Sequence, residues 1–103
     1  DFDARSYNVL RLKIRGELGG EIPNFYLDDG NRRICYRATQ LPSITEEWQE
    51  LELPLSFFER KEIDISHLES LQIAFEWEEQ SGTIYLDDIE FATTEEKATV
   101  AQN

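Results

Sequence analysis

Leu10-Arg11-Leu12-Lys13-Ile14-Arg15 is the cleanest alternation of apolar and polar positions in the chain. With a side-chain period of two it reads as a strand whose Leu10, Leu12 and Ile14 point inward while Arg11, Lys13 and Arg15 point outward. Gly16 to Gly20 follows as a turn by composition. Ile22 to Asp28 and Arg32 to Gln40 read as two further strands joined at Asp29-Gly30-Asn31, a hairpin turn signal. Trp48 to Leu55 alternates strictly with Pro54 inside it, which puts that strand at a sheet edge or the proline at its end. Thr45-Glu46-Glu47 ahead of it is therefore not the cap of a long helix. Ser56 to Ile63 fits one short helical turn, and Asp64 to Ser70 fits a second turn under the strand that follows.

Leu71 to Glu78 alternates again, with Leu71, Ile73, Phe75 and Trp77 on one side. After Gln80-Ser81-Gly82, the stretch Thr83 to Phe91 reads as a partner strand, so the two predict a hairpin. In this last strand the adjacent carboxylates Asp87 and Asp88 interrupt an apolar, β-branched run. Strict alternation brings one of them close to the core in either register, where an ionised carboxylate needs a cation or several hydrogen bonds. Six strands, short loops, no internal repeat and almost no helix predict an all-β antiparallel β-sandwich over residues 1–92. Residues 93–103 hold nothing that forms a core and are expected to be a flexible tail or linker.

Composition agrees with one folded domain. The 103 residues are 40% hydrophobic and 12% aromatic, which excludes a disordered acidic tail. The net charge of −12 is uneven: residues 1–44 carry about +1 and residues 45–103 about −13. Nucleic acid is a poor partner for such a surface, because phosphate binding draws on clustered Lys and Arg. An anionic membrane is repelled for the same reason, and no run of 18 apolar residues spans a bilayer. The single Cys35 excludes an internal disulfide and an all-cysteine metal site.

The succession Asp1 to Tyr7, Leu10 to Gly16, Glu47 to Leu55 with Phe57 or Phe58, Ile65 to Ile73 and Gly82 to Ile89 resembles the galactose-binding-like jelly rolls used as carbohydrate-binding modules. The resemblance covers residues 1 to about 92. Such domains usually carry eight strands, and the two that precede the Leu10–Arg15 strand have no counterpart here. The resemblance implies that the strands over 71–77 and 84–91 have open edges, to be completed by an upstream segment, another chain or a swapped copy. It also implies a ligand cleft on the sheet built from 22–28, 32–39 and 71–78. The outward side chains there are Asn24, Tyr26, Asp28, Arg33, Arg37, Gln72, Glu76 and Glu78, a mixture of planar aromatic, amide, carboxylate and guanidinium groups suited to sugar faces and hydroxyl pairs. Many members hold a structural calcium through an Asp in the position of Asp87, and calcium wants six to eight oxygens, so Asp87 needs ligands from elsewhere.

Each of these residues has a plainer reading. Arg33 and Arg37 facing Asp28, Glu76 and Glu78 equally describe cross-strand ion pairs on a solvated face, each worth roughly 0.2 to 1 kcal/mol. Trp48 and Trp77 fit core anchors, with Trp48 the better placed as a sugar platform. Cys35 fits a small packed side chain. His67 has no second His or Cys near it, and no nucleophile and base can be assembled with it, so an enzyme is not expected. The leading reading is a non-catalytic carbohydrate-binding module of a larger extracellular or cell-surface protein. The alternative is a structural or protein-interaction β-sandwich that docks a partner through its open strand edges.

Overall fold

A computed structural model of the chain describes residues 2–37, 42–75 and 82–94. Six strands run in the order β1 (Val9–Gly16), β2 (Asn24–Asp28), β3 (Arg33–Arg37), β4 (Gln49–Pro54), β5 (Ser70–Ala74) and β6 (Ile84–Ala92). A short helix α1 (Leu55–Arg60) and a 3₁₀ turn (Ile65–His67) lie between β4 and β5. The strands form two antiparallel three-stranded sheets, a first sheet β4-β1-β6 and a second sheet β3-β2-β5. The protein is an all-β sandwich.

The core lies between the two sheets. The first contributes Leu10, Leu12, Ile14, Leu51 and Leu53, and the second Phe25, Leu27 and Tyr36. The inward side chains of β1 alternate with Arg11, Lys13 and Arg15, so the period-two pattern translates directly into a buried and a solvated face. Helix α1 closes one side with Leu55 and Phe58, and Phe58 packs at 6.0 Å centroid distance from Tyr36 and 5.3 Å from Phe57. Pro54 ends β4, and β4 is an edge strand among the described residues, so both explanations of that proline apply.

Two expectations fail in instructive ways. The segments over 71–78 and 83–91 do not form a hairpin: β5 pairs with β2 in one sheet and β6 with β1 in the other. The chain crosses from one layer to the other between them. The paired carboxylates also do not bury either member. The β1–β6 register shifts between Arg11 and Lys13, which pair with Glu90 and Asp87, and Asp88 takes a left-handed φ of 52°. The extra residue is a β-bulge opposite Leu12, and Asp is among the few residues that tolerate this conformation. The bulge resets the alternation, so Ile84, Leu86 and Phe91 pack on the core while Asp87, Asp88, Ile89 and Glu90 all stay exposed.

Residues 3–8 run beside the sandwich. Phe2 forms an isolated antiparallel bridge with Leu68, its N–H and C=O both bonded at 2.8 Å. Its ring stacks on Phe91 at 4.8 Å. Thr93 and Thr94, the first two residues of the expected tail, bond to Ser6 and Asn8, and the rest of that tail, 95–103, lies outside the described residues. β5 and β6 are each the edge strand of their sheet among the described residues.

Candidate functional site

The outer face of the second sheet is fixed by a turn and by register. In the β2–β3 turn, Asp29 is buried, only 4% exposed, and its carboxylate accepts three backbone bonds. Asn31 and Arg32 N–H donate to Oδ1 at 2.8 and 2.6 Å, and Asp64 N–H donates to Oδ2 at 2.8 Å. These bonds, Asp64 N–H foremost, hold its pKa below the ordinary carboxylate value. Gly30 takes a φ of 92°, a left-handed conformation that favours glycine, while the nearest group to a Cβ there is the end of the exposed Glu69 side chain, which can swing aside. The turn sets Asp28 opposite Arg33, Tyr26 opposite Cys35 and Asn24 opposite Arg37. On the other side of β2, Asp28 faces Ser70, Tyr26 faces Gln72 and Asn24 faces Ala74.

Asn24, Tyr26, Asp28, Arg33, Arg37 and Gln72 thus share one face, opposite to buried Phe25, Leu27 and Tyr36. Glu76 and Glu78 lie outside the described residues, as does Trp77. Their positions on that face differ. Arg33, Arg37 and Gln72 are exposed, Tyr26 and Asp28 are half-buried, and Asn24 is only 5% exposed. Asn24 therefore offers little of its amide to solvent. The Arg33 guanidinium carbon lies 4.6 Å from the centroid of the Tyr26 ring, a cation–π contact that orients both groups.

Asp28 stands opposite Arg33, but its Oδ1 accepts a bond from Gly30 N–H at 2.6 Å instead of pairing with the guanidinium. Among the described residues neither Arg33 nor Arg37 has a carboxylate within ion-pair distance. The cross-strand pairing of these arginines with Asp28 is therefore not formed. Cys35 between them is partly buried, and burial pushes its thiol pKa up against the pull of Arg37 and Arg33. It stays a protonated, packed thiol at neutral pH.

The outer face of the first sheet is different. Arg11 bridges Glu52 at 3.0 Å, Glu90 at 3.3 Å and Glu50 at 3.9 Å, and Lys13 pairs with Asp88 at 3.2 Å. Glu52 raises the Arg11 pKa and Asp88 raises that of Lys13, as expected where cations are matched by acids. Asp87, the expected calcium ligand, is exposed and its Oδ1 accepts Asp88 N–H at 2.8 Å. Among the described residues no three His, Cys, Asp or Glu side chains come together as a metal would require. Among the described residues, Asp87 brings one carboxylate whose Oδ1 already accepts Asp88 N–H, which falls short of the six to eight oxygens that calcium takes.

The Ser66 hydroxyl donates to Asp64 at 2.5 Å, and His67 Nε2 lies 3.3 Å from Glu69 Oε2 at the surface. In the sequence Asp29 reads only as part of a turn, and its bond to Asp64 spans 35 positions that no local pattern reveals. Trp48, the better placed of the two tryptophans as a sugar platform, is 49% exposed, which fits its shared parity with exposed Glu50 and Glu52. The family model described as carbohydrate binding domain 30 matches residues 1–93. No curated protein and no solved structure matches the chain.

Proposed function

Because the chain belongs to the carbohydrate binding domain 30 family, and is a carbohydrate-binding module, we propose that its glycan lies on the outer face of the second sheet, β3-β2-β5. The observation that carries this is the grouping that register produces: Tyr26, Arg33, Arg37 and Gln72 lie on one face, with the Arg33 guanidinium over the Tyr26 ring. Guanidinium groups on such a face present several N–H donors in a fixed fork that suits neighbouring sugar hydroxyls. Arg33 held over Tyr26 makes a planar stack for a sugar face, with Gln72 across the strand as an amide partner.

Binding here involves stacking and hydrogen bonding with no bond made or broken, and the module serves a larger protein by holding it on a polysaccharide outside the cell. The galactose-binding-like jelly roll remains the finer reading of the sandwich, supported by the cleft sheet being assembled from the three segments that likeness names. Affinity electrophoresis through gels containing single polysaccharides tests the site. Tyr26→Ala and Arg37→Ala should each weaken retention about tenfold on the glycan that retards the parent. Unchanged retention in both variants would reject this face.

A second reading rests on the edge strands. β5 offers its outer edge, and the Phe2–Leu68 bridge shows that extended backbone pairs beside it. A strand from an upstream segment or another chain adds there. A molar mass by light scattering that rises with protein concentration supports addition between copies, and a constant monomer mass counts against it.

A further inference from the structure

The outer face of the first sheet changes character along β1. Around Arg11 and Lys13 it is an ion-paired lattice, but at Arg15 the neighbours are aromatic. Arg15 pairs in register with Tyr85, and one step beyond the Ile14–Gln49 pair it faces Trp48. Its guanidinium carbon lies 4.1 Å from the Tyr85 ring centroid and 5.5 Å from that of Trp48. Both rings keep much of their surface in water, Trp48 at 49% and Tyr85 at 38% exposed. A shallow depression of about 390 Å³ adjoins Trp48, lined also by Lys13, Gln49, Glu50 and Asp87.

Neither ring is part of the hydrophobic core. A tryptophan held half in water forgoes the burial that favours such a side chain inside, and aromatic rings exposed on one sheet face suit stacking on a sugar. Tyr85 lies on β6 and Trp48 immediately precedes β4, the strands either side of β1, so two strand spacings, about 10 Å, separate their backbones. That matches the reach of a disaccharide laid across the strands. Arg15 braces each ring from one side, while Glu50 and Asp87 line the depression with acceptors for hydroxyl groups. The carboxylates of Glu50, Asp87, Asp88 and Glu90 make the surroundings acidic, which disfavours an anionic glycan and leaves a neutral one as the occupant.

We infer that the Trp48–Arg15–Tyr85 row is a second carbohydrate-contact surface, for a neutral glycan strand, on the sheet opposite the first. It rests on the chain being a carbohydrate-binding module and is independent of which residues act on the β3-β2-β5 face. A module with contacts on both sheets bridges two glycan strands or grips one at a chain end.

The test uses the full chain in affinity electrophoresis through gels of hydroxyethylcellulose, xylan or galactomannan, with circular dichroism to verify folding of each variant. On the glycan that retards the parent, Trp48→Ala and Tyr85→Ala should each weaken retention roughly three- to tenfold. Trp48→Phe should restore most of it, which a loss of folding would not explain. Combining Trp48→Ala with Tyr26→Ala should abolish retention. Parental retention by Trp48→Ala and Tyr85→Ala, with loss in Tyr26→Ala alone, overturns the second surface and leaves the first standing. A parent retarded by none of the three neutral glycans overturns it as well, and retention on pectate alone would then keep the module reading while rejecting a neutral ligand.

Discussion

Asp29 is the residue whose chemistry has the longest reach. One carboxylate closes the β2–β3 turn through Asn31 and Arg32 and ties it to the Asp64 segment, so the orientation of Tyr26 and Arg33 depends on it. Asp29→Asn keeps the size and the two bonds to Oδ1 but sets an amide donor against Asp64 N–H. We expect the variant to lose about 5 °C or more in Tm by calorimetry. The same carboxylate predicts a pH dependence. Its folded pKa lies below the unfolded value near 3.9, so the folded state binds fewer protons between the two. Its contribution is therefore complete above about pH 4 and disappears as the pH falls through the folded value. The Tm gap between parent and Asp29→Asn should narrow below pH 4 and stay constant from 5 to 7. A gap that widens on acidification would contradict this.

At the scale of elements, the bulge in β6 decides what the acidic pair does. A left-handed residue costs most side chains about 1–2 kcal/mol, more when β-branched, and Gly nothing. Asp88→Val should thus destabilise by about that amount in urea unfolding, while Asp88→Gly should be close to neutral despite losing the exposed pair with Lys13. The alternation in 10–15 and 48–55 made faces legible from the sequence, because the period of two depends only on local geometry. Partners were less legible. Leu71–Glu78 and Thr83–Phe91 carry the pattern of a hairpin, yet alternation records which side of a strand is apolar and not which strand lies beside it. The bulge was hidden for a related reason: it is a choice of φ at one residue, made to keep two carboxylates in water.

The whole molecule presents two outer faces of different kind, one with arginines beside Tyr26 and one largely ion-paired with an aromatic row at its end. Asn24, Tyr26, Asp28, Arg33 and Arg37 were legible as one face because their register follows from a hairpin turn that the sequence announces, whereas Gln72 reaches that face through the β2–β5 pairing. The burial of Asn24 was not legible, since it depends on what packs around the sheet's end. If recognition is by stacking and hydroxyl hydrogen bonds, affinity for a neutral glycan should change by less than about twofold between roughly 0.05 and 0.5 M salt. A steep salt dependence would mean that charge pairing drives binding. The most direct measurement is an amide-resolved NMR titration of the chain with a soluble oligosaccharide of the glycan it retains. The account predicts the first and largest shifts in 24–28, 33–37 and 70–74, with 48 and 85 following. Saturation by the oligosaccharide with no shift in those three strands would contradict it.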